Sequence, residues 1–166
     1  MKWKDLNIGG VAYSLAHLQP FAMQHDIGGV QVTVRVTFGF HVFTDEKGNG
    51  PEIRCNGEVR SFCLERYHLS RDQLVDCIRN RFATAMAIPY LDKNRAQCYF
   101  CLDLYDYAIF VALTKVQGLD NTLKLHVISA YEVAQWGRSQ LPKGKLLRMR
   151  YIMDMRNQGQ DIKIKK

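Results

Sequence analysis

Two short stretches carry the residue types that move protons and hold phosphate. In VQVTVRVTFGFHVFT, residues 30–44, Arg35 and His41 share one parity of an alternating pattern; in LKLHVISAY, residues 123–131, Lys124 and His126 do the same. Metal-free RNA cleavage requires a base for the ribose 2′-hydroxyl, an acid for the leaving 5′-oxygen and cations for the charged phosphorane. Histidines supply the first two and Arg or Lys the third. DNA offers no such internal nucleophile. The candidate catalytic set is His41, His126, Arg35 and Arg66, with Ser129 and Tyr131 orienting the substrate. The candidate substrate-binding residues are Lys124, His68 and Arg71, followed by Lys143, Lys145, Arg148 and Arg150 near the C-terminus.

Each residue also has a plainer reading. A histidine on an exposed sheet face is more often ordinary surface than catalytic. His17 and His25 belong to an N-terminal arm, and His68, beside a helix start, suits a local hydrogen bond. Arg35 and Arg66 are equally suited to pairing with Glu58 or Glu65 across strands. A metal-dependent nuclease would present clustered carboxylates, whereas the nearest pair, Asp103 and Asp106, lacks a third ligand. Cys98 and Cys101 form the closest cysteine pair among five, without a second such motif or paired histidines, and read as two reduced core thiols. No metal or cofactor is expected.

The elements that must position these residues follow from periodicity. Successive strand residues point to opposite faces, so Val30 to Val42 on one parity and Gln31, Thr33, Arg35, Thr37 and His41 on the other predict a half-buried strand. Residues 45–52, DEKGNGPE, are loop chemistry. A second strand is expected over 59–68, paired with the first as a hairpin. Ser70 and Gln73 have capping-box spacing, predicting a helix over 70–84 whose Leu74, Ile78 and Phe82 face a sheet. Segments 97–104, 107–116 and 122–131 are β-rich with short connectors and should form an antiparallel meander, the middle one central because both its faces are apolar. Residues 11–24 read as a short helix or extended arm, and 143–156 as a helix after Pro142.

The expected fold is therefore one α+β domain: an antiparallel sheet of about five strands, a helix across one face, and a basic C-terminal helix. Its parts are an arm (1–28), a core (29–137) and a basic helix and tail (138–166). Residues 1–137 hold 14 Lys/Arg and 14 Asp/Glu, and residues 138–166 hold 9 and 2, so the net charge of +7 lies wholly in the C-terminal part. Such a segment suggests RNA or another polyanion, or an acidic protein, as partner; a frayed solubilising tail is the plain alternative for the last few residues. With no run of 18 apolar residues and no secretion-signal pattern, a soluble cytoplasmic protein without a membrane partner is expected.

The helix followed by a meander, 70–84 then 97–131, ending in LKLHVISAYE, resembles the compact ribonuclease toxins grouped with barnase, the tRNA-cleaving colicins and RelE. The resemblance covers roughly a third of the chain. It implies an active site on the concave face of the sheet, with His126, Ser129 and Tyr131 contributed by the closing strand, and an antitoxin as partner. The hairpin expected over 30–68 falls outside that pattern, and no glutamate stands where barnase-like members carry a general base. The function expected is a metal-independent ribonuclease acting as a toxin or phage-defence effector. The alternative is a non-catalytic module that binds nucleic acid or an acidic protein through the same basic residues. A third reading, assembly, would use Met149, Ile152 and Met153 as a homo-oligomer patch.

Overall fold

The alternation over residues 30–44 becomes the longest described strand of the protein, and the rest of the chain is organised on its two edges. The computed structural model describes residues 2–91, 98–104, 107–133 and 141–163. A small hairpin, β1 (Leu6–Ile8) and β2 (Val11–Tyr13), leads through a 3-10 turn (Ala16–Leu18) into β3 (Phe21–Ile27) and β4 (Val30–His41). Gly28 and Gly29 join these last two with φ of 63° and 86°, which a two-residue turn with positive φ at both centres requires. Next come β5 (Thr44–Asp45), β6 (Glu52–Cys55) and β7 (Glu58–Phe62). A helical run begins as α1 (Leu64–Leu69), widens into π turns (Ser70–Leu74 and Cys77–Arg81) and ends as a 3-10 turn (Phe82–Thr84). The remaining elements are β8 (Met86–Leu91), β9 (Cys98–Leu104), β10 (Tyr107–Lys115), β11 (Thr122–Glu132), β12 (Leu147–Arg148) and α2 (Met149–Asn157).

The main sheet has seven strands in the order β12-β8-β9-β10-β11-β4-β3. Every pairing in it is antiparallel except β11 with β4. The α+β architecture and the meander β9-β10-β11 are as the sequence implies. β10 is indeed central, with Tyr107, Ala108, Ile109, Val111 and Leu113 all buried. One face of the sheet carries the core: Val32, Val34 and Val36 of β4 and Leu123, Leu125 and Val127 of β11 are fully buried against Leu74, Ile78 and Phe82 of the helical run. Burying each such side chain is worth about 1.5–3 kcal/mol.

Several expectations are corrected. The strand at 30–44 meets 59–68 only at its far end, where Thr44 pairs antiparallel with Phe62: β4 itself pairs with β3 and β11, while β7 pairs with β5 and β6 in a separate three-stranded sheet. The second strand stops at Phe62 because the next residues bury Arg66, Tyr67, Leu69 and Ser70, a helical spacing that short-range alternation disguised. The capping box is not used either. Ser70 lies inside the helical run with φ −64° and ψ −38°. Its Oγ donates to the carbonyl of Tyr67 (2.7 Å) and meets His17 Nε2 (2.9 Å), a back-bonding that loosens a helix rather than starting one.

The residues read as a short helix or extended arm, 11–24, form β2, a 3-10 turn and the start of β3, which completes one edge of the main sheet. And Met149, Ile152 and Met153, the patch expected for self-association, are fully buried in the chain's own core. Cys98 and Cys101 stand in β9, but their side chains and that of Asp103, together with Asp106, lie outside the described residues.

Candidate active site

The parallel pairing of β11 with β4 sets Lys124 beside Arg35, His126 beside Thr37 and Ser129 beside His41. These residues occupy the face of the sheet away from the core, because their neighbours Val34, Val36, Leu123, Leu125 and Val127 have taken the other face. β4 outruns β3 beyond Val36, and Trp3 covers the freed edge by donating Nε1–H to the carbonyl of Phe38 (3.2 Å) and stacking on Phe40. The β6-β7 hairpin, turning at Asn56-Gly57, supplies a further wall. The result is a cleft of about 360 Å³ in which His41, His126 and Lys124 meet Thr37, Asn56 and Glu58.

His126 Nδ1 is 2.9 Å from Thr37 Oγ1, which fixes the ring plane. Burial first, and the charge of Lys124 second, hold its pKa below the ordinary value of 6.5, so the imidazole is neutral at pH 7. Gly39 gives this ring its room. A Cβ there would lie 3.2 Å from His126 Nε2, 3.0 Å from the carbonyl oxygen of Ile128 and 3.1 Å from that of Val127. Gly39→Ala is expected to displace the imidazole, which should shift the His126 ring resonances in NMR spectra. Unchanged resonances with an unchanged Tm would reject this placement.

His41 Nε2 is 2.7 Å from Glu58 Oε1. Glu58 is held in turn by Arg60, 3.4 Å away, whose Nη1 also meets Glu46 at 2.7 Å and whose Nε donates to Thr44 Oγ1 at 3.1 Å. Glu58 is the functional candidate that sequence reasoning misplaces: its spacing suits a partner for Arg35 or Arg66, and in the structure it meets His41 instead. Its signal was the Asn-Gly turn just before it, which sends β7 back along β6.

The other expected site residues divide. Arg35 is exposed beside Lys124 in register and does not itself line the cleft. Strict alternation from His126 would turn Ser129 and Tyr131 toward the core. A β-bulge at Ile128 reverses this, pairing Val127 with Val111 and Ser129 with Phe110, so Ser129 returns to the face of His126. Neither Ser129 nor Tyr131 lines the cleft. Tyr131 stacks on Phe110 at 5.4 Å and opens onto a different cavity, of about 410 Å³, shared with Asp45 and Arg66.

Arg66 is buried, and its Nη1 donates to the carbonyls of His41 (3.1 Å) and Thr44 (2.9 Å); it ties the β4-β5 turn to α1 rather than facing the histidines. His68 and Arg71 sit on the exposed side of the helical run, against the Tyr67 ring at 5.5 and 5.8 Å, with Arg71 ion-paired to Asp72. Lys143 and Lys145 line a third cavity, and Arg148 and Arg150 are exposed at the start of α2. Among the described residues no three His, Cys, Asp or Glu side chains are grouped to hold a metal, and no helix is long and apolar enough to cross a membrane.

Two further histidines share the electrostatic sign of His126. Burial, followed by Arg71 for His17 and Arg150 for His25, lowers both pKa values from 6.5. The unfolded chain therefore binds these protons more readily than the folded one. Their contribution to stability is complete above about pH 6.5 and is lost as pH falls through the lowered folded values. Melts at constant ionic strength should show Tm falling between pH 7.5 and 5; a flat profile over that window would refute the assignment.

No curated protein and no solved structure matches the chain significantly. The family model for the YjaZ family matches residues 5–155. That span includes every cleft residue except Trp3, the sheet that shapes the cleft and most of α2, and the chain belongs to the YjaZ family.

Proposed function

We propose that the protein is a metal-independent ribonuclease, a cytoplasmic toxin or phage-defence effector of the kind its helix-and-meander order resembles. The observation that supports this reading is the convergence of His41 and His126, from two strands far apart in sequence, on one cleft with Lys124. Neutral His126 takes the proton of the ribose 2′-hydroxyl, whose oxygen attacks the adjacent phosphorus. Lys124, with Arg35 beside it, stabilises the charge that builds on the phosphorane. His41, which when protonated forms an ion pair with Glu58, gives its proton to the departing 5′-oxygen, leaving a 2′,3′-cyclic phosphate and a free 5′-hydroxyl.

The test is incubation of the purified chain with end-labelled total RNA in EDTA, with analysis of the new termini. Cleavage with 2′,3′-cyclic phosphate ends is expected. Intact RNA that shifts on a gel in a salt-sensitive way would overturn catalysis in favour of a binding module.

A further inference from the structure

The largest of the three cavities described here, about 560 Å³, lies where the segment before β12 and the end of α2 approach β8. β8 is separated from β11 by two strands and from β4 by three, which at strand spacing puts this cavity about 14 Å across the sheet from the strand of His126 and about 19 Å from that of His41. Lys143, Lys145 and Lys163 line it together with the apolar Leu147, Tyr151 and Met155. Its one carboxylate, Asp161, is already bonded to Arg156. Among the described residues none of the three lysines has an ion-pair partner, and Tyr151 is 49% exposed. Leu146, next to Lys145, is also 49% exposed.

Three unneutralised ammonium groups around an apolar lining complement a ligand with carboxylates outside and a hydrocarbon group inside. We propose that this cavity binds an acidic peptide segment of a protein partner, with one apolar side chain seated against Leu147, Tyr151 and Met155. Two features favour a peptide over RNA: the apolar part of the lining is largely aliphatic, supplied by Pro89, Leu147, Met155 and Ile162, and it offers a single aromatic ring, whereas single-stranded nucleic acid is held by repeated stacking along a continuous cationic groove. Lys143 and Lys145 are thereby assigned to a partner and not to the substrate of the histidine cleft.

Fluorescence anisotropy of the full chain tests this with a labelled decapeptide of glutamates interrupted by a leucine and a phenylalanine. An oligoglutamate of equal charge and a labelled oligouridylate serve as comparators. The mixed peptide should bind at least about tenfold more tightly than oligoglutamate, and the double reversal K143E/K145E and the truncation Y151A should each weaken it by about tenfold or more, with Tm unchanged in both and RNA cleavage unchanged in Y151A. Equal binding of oligoglutamate, or none of the mixed peptide, would overturn the proposal. So would oligouridylate binding that the same reversal abolishes, or a dimer on sedimentation that Y151A dissociates.

Discussion

His126→Ala is expected to lower the rate of RNA cleavage by about 10²–10⁴-fold, the usual worth of a positioned general base, with little change in RNA affinity. His41→Ala should do the same from the acid side. The effect should appear in kcat rather than KM, because neither imidazole has to hold the ground-state phosphate. The pH profile carries a second signature. Burial lowers the pKa of His126 below 6.5, so the acidic limb of kcat/KM should fall below that value and vanish in His126→Ala. Glu58→Gln keeps a hydrogen-bond acceptor for His41 but removes the charge, and should depress kcat while leaving the His126 limb in place. If both alanine variants cleave as the wild type does, the cleft is not the reacting centre.

Arg66→Met is expected to destabilise the protein by about 2–5 kcal/mol. Removal of the guanidinium strands the carbonyl of Thr44 in a buried setting and that of His41 in a partly buried one, at about 1–3 kcal/mol for each fully buried group. For a chain of this length that is a fall in Tm on the order of 10 °C. The same variant separates two roles that the sequence leaves together. Removing a phosphate-binding arginine would reduce the salt dependence of RNA binding by about one unit of log–log slope; removing a structural tie would not. Arg66→Met should therefore lose stability and keep the slope. Lys124→Met, exposed in the cleft, should lose about one unit of slope and keep its Tm. A reduced slope in Arg66→Met would return Arg66 to the substrate.

The parts of this molecule legible in its sequence are those governed by neighbours. The period of two in Val30–His41 fixed which residues of β4 face the core, and the period near four of Leu74, Ile78 and Phe82 fixed the buried side of the helical run. The meander β9-β10-β11 followed from three apolar segments joined by short turns. What failed locally was the stretch 59–70, where a short strand runs directly into a helix and the two periods overlap over too few residues to be separated. The capping pattern at Ser70 misled for the same reason: its hydroxyl satisfies a carbonyl within the helix and the ring of His17, a partner 53 residues away.

The sequence by itself determined the α+β class, the polar faces bearing Arg35, His41, Lys124 and His126, and the confinement of the positive charge to residues 138–166. Tertiary structure alone decided which faces meet. The parallel register of β11 on β4 joins residues some ninety positions apart, and no local propensity encodes it, because a strand's hydrogen-bonding edges are the same whichever partner they take. That register brings His126 to Thr37 and His41. The bulge at Ile128 turns Ser129 back to their face, burial converts Arg66 from a candidate phosphate ligand into a tie between carbonyls, and the core absorbs the C-terminal methionines. Alternation assigns a side chain to a face; only long-range packing, which fixes strand order and the depth of burial, assigns it a neighbour.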